Sequence, residues 1–248
     1  MELNDFFINN PRIAVAYSGG VDSSYLLFAA KTAGADVSAY YIRSRFQPQF
    51  EIDDATRFTK SISVPMTIGT LDVLRDNAIS ANNEDRCYYC KTAIITKIRE
   101  LAGKDGYATL CDGTNADDAE KDRPGMRALR ENGVISPLRD SGLSKREIRR
   151  LSKEAGLFTH DKPAYACLAT RIPEGTVIEA ELLEKIERAE NALYAMGFSD
   201  LRARYLPHGG VKLQIPAAQW DAAAAARADI LKALRPDFDS VALDLTPR

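Results

Sequence analysis

The sequence predicts an α/β fold, in which a parallel sheet flanked by helices is followed by a smaller C-terminal α+β domain. Short β-branched runs alternate with amphipathic helical stretches through the first two thirds of the 248 residues, the pattern of a parallel sheet covered by helices. After Lys162-Pro163 the pattern changes to one long helix, two short strands and an alanine-rich helix. We therefore expect one domain over residues 1–163 and a second over residues 164–248.

The first domain is expected to alternate strands with helices. The predicted strands are Ile13–Tyr17, Val37–Ile42, Met66–Ile68, Tyr107–Cys111 and Val134–Ile135. The predicted helices are Ser23–Ala33, Glu51–Ser61, Lys91–Leu101 and one that starts after Ser144. Gly34 is a stop signal for the first helix, and Ser144 with Glu147 has the spacing of a capping box at the start of the last.

The second domain is expected to form around an amphipathic helix, Glu181–Met196. Its predicted apolar face consists of Leu182, Ile186, Ala189, Leu193 and Met196. Two strands, Leu201–Tyr205 and Val211–Ile215, follow this helix. The alanine-rich stretch Ala222–Leu234 predicts a final helix, which completes a small α+β domain.

Composition favours small-molecule chemistry over nucleic-acid binding. The 33 Lys+Arg and 35 Asp+Glu give a formal charge of −2, so we expect no strongly basic surface and no nucleic-acid partner. No run approaches the about 20 apolar residues of a membrane span, and Glu2 and Asp5 stand where a signal peptide would be basic. We expect a cytoplasmic protein without a membrane partner. Its four cysteines are too few for a disulfide framework, which leaves metal, catalytic or packing roles.

A glycine- and serine-rich segment, Ser18-Gly19-Gly20-Val21-Asp22-Ser23-Ser24, follows the first predicted strand and leads into a helix. This arrangement directs backbone N–H groups and the positive end of the helix dipole to one point, which makes an anion site. The serine hydroxyls can add donors. A tight βα turn capped by Asp22 is the structural alternative. The segment lacks the GxxxxGK[ST] and GxGxxG motifs of other nucleotide-binding loops.

The segment resembles the PP-loop, SGGxDS, of the N-type ATP pyrophosphatases, which cleave ATP to AMP and pyrophosphate. The resemblance implies which residues hold the pyrophosphate portion of ATP: Ser18, Gly19, Gly20, Asp22 and Ser23. It also implies that Asp22 helps to place Mg²⁺.

Further motifs occur in a fixed order along nearly the whole chain. They are Asn77, Asp85-Arg86-Cys87-Tyr88-Tyr89-Cys90-Lys91, Asp112-Gly113-Thr114-Asn115-Ala116-Asp117-Asp118, Arg123-Pro124-Gly125, Ser136-Pro137-Leu138, Lys162-Pro163, Ala166-Cys167-Leu168-Ala169-Thr170-Arg171 and Gly175. In this order they resemble the LarE family, ATP-dependent sulfur transferases that help to make the nickel-pincer nucleotide cofactor of lactate racemase. The resemblance implies a PP-loop ATP pyrophosphatase fold of the adenine nucleotide alpha hydrolase type.

The LarE resemblance also implies a reaction. LarE-like proteins adenylylate a carboxylate of pyridinium-3,5-biscarboxylic acid mononucleotide and then deliver sulfur to give a thiocarboxylate. Adenylylation suits this purpose because a carboxylate is a poor electrophile, while AMP is a good leaving group and Mg²⁺ stabilises the departing pyrophosphate. The expected ligands and partners are ATP, Mg²⁺, the pyridinium mononucleotide, sulfide or another sulfur donor, and further copies of the chain in a homo-oligomer.

Further ATP-binding positions are implied at the carboxyl ends of the strands. They are Ala16, Ser44, Gly113, Asn115, Asp118 and Arg123. The first three are expected near adenine, where open α/β sheets bind ligands. From composition alone, Asn115, Asp118 and Arg123 would simply lie in a polar loop with local turns. The motif context assigns them instead to ATP, with Arg123 as a phosphate or adenylate contact.

Three cysteines are candidates for sulfur delivery. Cys87 and Cys90 form a CxxC pair just before a predicted helix, and Cys167 lies in the segment that joins the domains. In the simplest LarE proteins the cysteine at the position of Cys167 gives up its own sulfur. In other members three such cysteines hold a [4Fe-4S] cluster with one open iron, and the presence of all three favours that version here. A sacrificial Cys167, a zinc site completed by His160 or His208, and a disulfide are the alternatives.

The second domain carries candidate substrate contacts. Arg202 and Arg204 alternate along a strand and so share one face, and the resemblance implies that they receive the phosphate of the mononucleotide. A solvated strand face is the alternative. Thr170 and Glu190 occupy positions that are functional in the family, although a loop Thr and a helix-surface Glu are usually solvated. In the strand after the arginines, Gln214 replaces the acid usual in the family.

Two other functions are compatible with the loop. The tRNA-thiolating PP-loop enzymes also combine SGGxDS with cysteines, but they must bind a polyanion, which the net charge of −2 disfavours. An ATP-sensing module would use the loop without needing three spaced thiols.

Overall fold

The computed structural model describes residues 2–118 and 123–248 and divides the chain into two compact units. The first unit comprises Met1–Val73 and Asp85–Tyr165, and the second comprises Leu74–Glu84 and Ala166–Arg248. A short segment of the N-terminal half therefore belongs with the C-terminal residues. No helix in the described ranges is long and apolar enough to cross a membrane.

The helices of the described residues are numbered in chain order. They are α1 (Leu3–Asn9), α2 (Val21–Thr32), α3 (Gln49–Ser61), α4 (Asn77–Ser80), α5 (Arg86–Lys104), α6 (Pro124–Glu131), α7 (Pro137–Asp140), α8 (Lys145–Glu154), α9 (Ala180–Ala195), α10 (Trp220–Ala225) and α11 (Arg227–Leu234). The predicted capping box of α8 is confirmed, because Ser144 Oγ accepts from the Glu147 N–H and Glu147 accepts from the Ser144 N–H. Helix α5 begins at Arg86 rather than at the predicted Lys91, so the CxxC pair lies inside the helix.

A parallel sheet forms the centre of the first unit. Its strands are β1 (Arg12–Ala16), β2 (Asp36–Arg43), β3 (Met66–Thr70) and β4 (Thr109–Asp112). In the described residues they stand in the order β3-β2-β1-β4, with parallel pairing throughout. The predicted α/β class is thereby confirmed. The predicted strand Val134–Ile135 is reduced to one bridge between Ile135 and Cys111, since the chain turns into α7 at Pro137, which has no N–H to donate to a ladder.

Both faces of the central strand β1 are buried. Ile13 and Val15 of β1 lie in one apolar cluster and Ala14 lies in another, because successive side chains of a strand point to opposite faces. The first cluster includes Leu26 of α2, and the second includes Ile95 of α5. Burial on both faces explains why β1 is a nearly continuous apolar run rather than an alternating one.

The second unit contains a mixed sheet. Its strands are β5 (Arg202–Leu206), β6 (Gly210–Gln214) and β7 (Ser240–Leu243), in the order β5-β6-β7 within the described residues. Strands β5 and β6 pair antiparallel, whereas β6 and β7 pair parallel. Strand β7 is absent from the sequence-based prediction. The prediction of one helix over Ala222–Leu234 is wrong: α10 and α11 meet at Ala226, and neither glycine nor proline marks this break in the sequence.

Helix α9 packs against β5 and buries a charged side chain within its apolar face. Its buried residues are Leu183, Ile186, Ala189, Glu190 and Leu193. Leu182 and Met196, which the periodicity places on this face, are only partly buried. The buried face is thus rotated toward Glu190, whose carboxylate bonds to β5.

Candidate functional site

The loop after β1, residues 18–24, has the geometry of an anion site, and we call it the phosphate loop. Gly19 has φ +75°, in the left-handed region that favours glycine. Gly20 is the N-cap of α2 with extended backbone, and no side chain in the described residues caps this helix end. The first N–H groups of α2 and the positive end of its dipole are therefore left to an anion.

The serines of the loop bond to one another. Ser18 Oγ and Ser23 Oγ are 3.0 Å apart, and the Ser18 N–H donates to Ser23 Oγ at 3.3 Å. Ser23 is buried, whereas Ser18 is exposed. Ser23 therefore closes the loop, and Ser18 carries the hydroxyl at its surface.

Asp22, in the first turn of α2, has one carboxylate oxygen paired and one unpaired. Lys145 Nζ donates to Asp22 Oδ2 at 2.5 Å, and Asn115 Nδ2 donates to the same oxygen at 3.4 Å. Asp22 Oδ1 is buried and has no hydrogen-bond partner among the described residues. Burial raises the pKa of the Asp22 carboxyl above its ordinary value and outweighs the bond and charge of Lys145, which lower it. A buried, unpartnered carboxylate oxygen at a phosphate loop suits Mg²⁺, which prefers oxygen ligands.

The loop after β4 lies directly against the start of α2. A Cβ on Gly113 would lie 2.6 Å from the backbone nitrogen of Ser23, so only glycine permits this approach. Asp112 anchors the loop, because its two carboxylate oxygens accept from Thr114 Oγ1 at 2.5 Å and from Ser136 Oγ at 2.7 Å. The end of β4 and the phosphate loop are therefore held together by backbone packing.

Asn115 and Asp118 form a local turn in this loop. The Asn115 N–H donates to Asp118 Oδ2 at 3.0 Å, and the Asp117 N–H donates to Asn115 Oδ1 at 2.8 Å. Asp117 also accepts from the Lys145 N–H at 2.7 Å. The turn therefore fixes the side chain of Asn115 beside Asp22 and the start of α8 beside the loop.

The other positions predicted to bind ATP lie at strand ends or at a helix start. Ala16 is the partly exposed last residue of β1, and Ser44 follows β2. The Ser44 hydroxyl and N–H both donate to Gln47 Oε1, which makes a tight local turn. Arg123 is the exposed N-cap of α6.

Two lysines at the loop are absent from the sequence-based site. Besides Lys145, Lys162 Nζ lies 2.9 Å from Glu51 Oε2, 3.0 Å from Asp54 Oδ2 and 3.4 Å from the carbonyl oxygen of Gly19. Arg149 of α8 donates to the backbone carbonyl of Lys162 at 2.8 Å and so holds its segment. The Lys162-Pro163 motif draws attention to Lys162, but it does not predict that Lys162 lies at the loop. Lys145 is predicted to lie in the first turn of α8 by the capping box. The sequence does not indicate that this turn faces Asp22.

The CxxC pair lies on the first turns of α5. Cys87 is exposed and Cys90 is partly exposed, and their spacing places them on one helix face. Helix α6 fastens this end of α5: Arg127 pairs with Asp85 at 2.9 Å and stacks over the Tyr88 ring at 4.3 Å.

Cys167 precedes a short 3-10 turn, Leu168–Arg171, in the second unit. We call residues 166–171 the Cys167 turn. Thr170 Oγ1 donates to the Cys167 carbonyl at 2.8 Å, and the Thr170 N–H donates to it at 3.0 Å. The Arg171 guanidinium donates to the Ala166 carbonyl at 2.7 Å and to the Cys167 carbonyl at 3.3 Å. The backbone around the cysteine is thus held by side chains of its own turn.

Glu190 is a buried ion-pair partner and not a solvated helix-surface residue. Its carboxylate accepts two bonds from Arg171, at 2.8 and 3.1 Å, and one from the Ala203 N–H at 3.0 Å. The Arg171 and Glu190 side chains are 0% and 2% exposed. The sequence indicates no separate role for Arg171. In the structure it pairs with Glu190 and also bonds to the backbone next to Cys167.

Arg202 and Arg204 do not form a solvated strand face. Arg202 is buried and donates to the Leu201 carbonyl at 2.7 Å. Arg204 donates to the Thr170 carbonyl at 2.8 Å and, through Nε, to the side-chain oxygen of Gln214. The pKa of Arg204 is lowered, mainly by burial and to a smaller extent by the neighbouring cations Arg171 and Arg248. A guanidinium among other cations suits an anionic ligand.

Gln214 connects Arg204 to an acid. Its amide nitrogen donates to Asp244 Oδ2 at 2.8 Å, while its oxygen accepts from Arg204. Asp244 also pairs with Lys212 at 2.9 Å. At the position where the resemblance implies an acid, this chain has a neutral amide that donates to Asp244, an acid of another segment.

The cysteines differ in their surroundings. Cys87 and Cys90 belong to the first unit and Cys167 to the second. Cys111 is fully buried in β4, and burial raises the pKa of its thiol to about 12, which fits a packing role. Among residues 2–118 and 123–248, no three or more His, Cys, Asp or Glu side chains are grouped as a metal site.

The two histidines lie in local turns. His160 Nδ1 bonds to the Leu157 carbonyl at 2.9 Å, and His208 is exposed in the β5–β6 turn with φ +63°.

Comparison with known proteins finds relatives along most of the chain. It is 36% identical over 203 residues to an uncharacterized protein of Synechocystis, covering 82% of this chain and 76% of that one. It is 31% identical over 211 residues to the pyridinium-3,5-bisthiocarboxylic acid mononucleotide synthase of Lactiplantibacillus plantarum, covering 84% of this chain and 76% of that one. A tRNA-specific 2-thiouridylase of Pseudothermotoga lettingae is 26% identical over 202 residues and is covered over 57% of its length. No protein-family model matches the chain.

Proposed function

The chain belongs to the family of the pyridinium-3,5-bisthiocarboxylic acid mononucleotide synthase, the LarE family, and from this premise we propose that it is an ATP-dependent sulfurtransferase acting on the corresponding biscarboxylic acid mononucleotide. The observation that carries the proposal is the phosphate loop, with its uncapped helix start and the unpartnered oxygen of Asp22. The product named for the L. plantarum relative supports this choice of substrate class.

The proposed reaction has two steps. A carboxylate oxygen of the pyridinium substrate attacks the α-phosphorus of ATP, and the bond to the β-phosphate oxygen breaks, which releases pyrophosphate. A sulfur nucleophile then attacks the acyl carbon, and AMP leaves with one of the original carboxylate oxygens. The first step needs stabilisation of negative charge on pyrophosphate, and the N–H groups at the start of α2 are oriented for it before the reaction begins.

Asp22, Asn115 and Lys145 are proposed to prepare the loop for Mg²⁺ and ATP. Asp22 Oδ1 would hold Mg²⁺, which supplies positive charge beside the phosphates. Asn115 and Lys145 keep Asp22 Oδ2 in place. Lys145 also adds a positive charge at the loop, where a triphosphate gains most from it.

For sulfur delivery we propose a [4Fe-4S] cluster held by Cys87, Cys90 and Cys167. Thiolates are the ligands of such clusters, and two of these thiols share one face of α5 at the surface of the first unit. Such a cluster supplies an iron with an open position for sulfide. The alternative is that Cys167 gives up its own sulfur, and its partial exposure permits this too.

The function is tested by measuring pyrophosphate release from ATP in the presence of Mg²⁺. Three reactions are compared: one with the pyridinium mononucleotide, one with tRNA and one with neither. We expect release that depends on the pyridinium mononucleotide and a thiocarboxylate product. Release that depends on tRNA would favour the thiouridylase-type function, and binding of ATP without release would favour an ATP-sensing module.

The sulfur source is tested by anaerobic purification with analysis of iron, sulfide and zinc. We expect iron and sulfide in about equal amounts, about four of each per [4Fe-4S] cluster. Zinc without iron, together with full activity of Cys87→Ser and Cys90→Ser, would overturn the cluster. Loss of the Cys167 sulfur after one turnover, read from the protein mass, would establish the sacrificial route.

A further inference from the structure

We infer that Arg171 is a positioning residue that fixes the Cys167 turn in the conformation from which sulfur is transferred, an inference that rests on the proposed function. Cys167 is the residue at which both sulfur routes meet, since it is either a cluster ligand or the donor itself. The conformation of its backbone therefore matters to the reaction whichever route operates.

Arg171 holds the turn through several of its donors at once. Its Nη1 donates to the carbonyls of Ala166 and Cys167 and to Thr170 Oγ1, at 2.7, 3.3 and 3.0 Å. Its Nε and Nη2 bind the two oxygens of Glu190 at 2.8 and 3.1 Å. One planar guanidinium therefore ties the cysteine backbone to the carboxylate.

Glu190 in turn anchors Arg171 to rigid structure. It belongs to α9, and Glu190 Oε1 also accepts from the Ala203 N–H of β5 at 3.0 Å. A second guanidinium reaches the same turn from β5, because Arg204 donates to the Thr170 carbonyl. The turn is thus fastened to a helix and a strand by charge-assisted bonds.

Stability alone does not account for this arrangement. A buried ion pair gains little over well-packed apolar residues, because removing two charges from water opposes their attraction. An apolar pair would fill the space but would offer no donors to the Ala166 and Cys167 carbonyls. The specific consequence of an arginine at this position is the fixed backbone of the cysteine.

The test is Arg171→Lys, which keeps a cation beside Glu190 but loses the planar fork that binds carbonyls and carboxylate together. The matched control is Arg188→Lys in the same unit. Arg188 also forms a two-bond pair with an acid, Asp237, at 2.7 and 3.0 Å, but its pair is surface-exposed and lies outside the Cys167 turn.

The first readout is the single-turnover rate of thiocarboxylate formation. We expect Arg171→Lys to lower it about 10²-fold, the effect of a small misplacement of a reacting group, with an unchanged KM for ATP. Arg188→Lys is expected to retain the wild-type rate. If Arg171→Lys does not fold, the double variant Arg171→Met with Glu190→Met takes its place, since an apolar pair leaves no buried charge uncompensated.

The second readout is the alkylation rate of Cys167 by iodoacetamide in the full chain purified without iron, read by mass spectrometry. Exposed Cys87 in the first unit serves as the internal reference. We expect alkylation of Cys167 to rise about tenfold in Arg171→Lys, the change for losing one bond to a charged group, with Cys87 unchanged.

Three results would overturn the inference: wild-type sulfur transfer by Arg171→Lys, an equal loss in Arg188→Lys, or parallel changes at Cys87 and Cys167. If the wild-type chain itself forms no thiocarboxylate, the proposed function fails separately. The alkylation comparison still decides whether Arg171 fixes the turn.

Discussion

The phosphate loop of the first unit and the Cys167 turn of the second unit each contain a charged group with buried atoms, but the two groups are satisfied differently. At the loop, Asp22 keeps one buried oxygen without a partner among the described residues. At the turn, both carboxylate oxygens of Glu190 accept bonds from Arg171. The loop has capacity left for a ligand, whereas the turn uses its charges to fix its own backbone.

Because of this difference, substitutions at the loop and at the turn should separate function from folding. Where a charged atom lacks a protein partner, removing its charge should raise the stability of the folded state and lower the reaction rate. Where two buried charges pair with each other, removing one leaves the other buried without a partner and lowers the stability of the folded state.

The largest effect is expected from Asp22→Asn on pyrophosphate release. The amide keeps the shape but removes the negative charge that would hold Mg²⁺, and we expect the rate to fall about 10²- to 10³-fold, the loss typical of an electrostatic group in a preorganised site. The measurement is substrate-dependent pyrophosphate release at saturating ATP. Asp53→Asn, at an exposed position of α3, is the control and should retain the wild-type rate. Equal rates in Asp22→Asn and wild type would remove Asp22 from the reaction.

The second effect concerns the buried pair of the Cys167 turn. Glu190→Ala leaves the Arg171 charge uncompensated, and we expect it to lower the free energy of unfolding by about 3–5 kcal/mol in urea titrations. Asp237→Ala, which breaks the exposed Arg188 pair, should cost only about 0–1 kcal/mol. A Glu190→Ala cost as small as that of Asp237→Ala would show that the turn does not depend on its ion pair.

A third prediction concerns the contact between the β4 loop and α2. In Gly113→Ala the new methyl would lie 2.6 Å from Ser23 N and 2.8 Å from Ser23 Cα, so the start of α2 must move. We expect a loss of about 1–3 kcal/mol in stability, together with weaker ATP binding measured by calorimetry. Gly103→Ala in α5 is the matched control, because its methyl would meet no heavy atom within 4 Å. Unchanged ATP affinity in Gly113→Ala would separate this contact from the site.

The smallest effect is a pH dependence of stability. Because the folded-state pKa of Asp22 is raised, the folded protein binds the proton more tightly than the unfolded chain, and this group favours folding less as pH rises from the ordinary value of 3.8 through the raised value. Relative to wild type, Asp22→Asn should therefore gain stability with rising pH through that window, as measured by thermal unfolding at pH 4 and pH 7. A relative loss at pH 7 would mean that the Lys145 pair outweighs burial.

The sequence predicts the elements that follow from local rules. The capping box at Ser144, the strand into the phosphate loop and the glycine turn at Gly19 depend on neighbouring residues, and the structure contains all three. The break at Ala226 leaves no local signal, so the alanine-rich stretch is predicted as one helix.

The site was harder to predict where distant residues meet. Lys145 and Asp22 are far apart in sequence, and nothing near either one indicates the other. A glutamate on a helix looks solvated until the fold places an arginine opposite it, which is why Glu190 and Arg171 could not be paired from the sequence. The homo-oligomer and the cluster stay predictions.

Isotope transfer shows directly whether the phosphate loop activates a substrate carboxylate. The pyridinium mononucleotide is prepared with heavy oxygen in its carboxylates and incubated with the enzyme, ATP and Mg²⁺, and AMP and pyrophosphate are analysed by mass spectrometry. We predict one heavy oxygen in the AMP formed with each thiocarboxylate and none in pyrophosphate. AMP without heavy oxygen, or ADP and phosphate as products, would contradict the account.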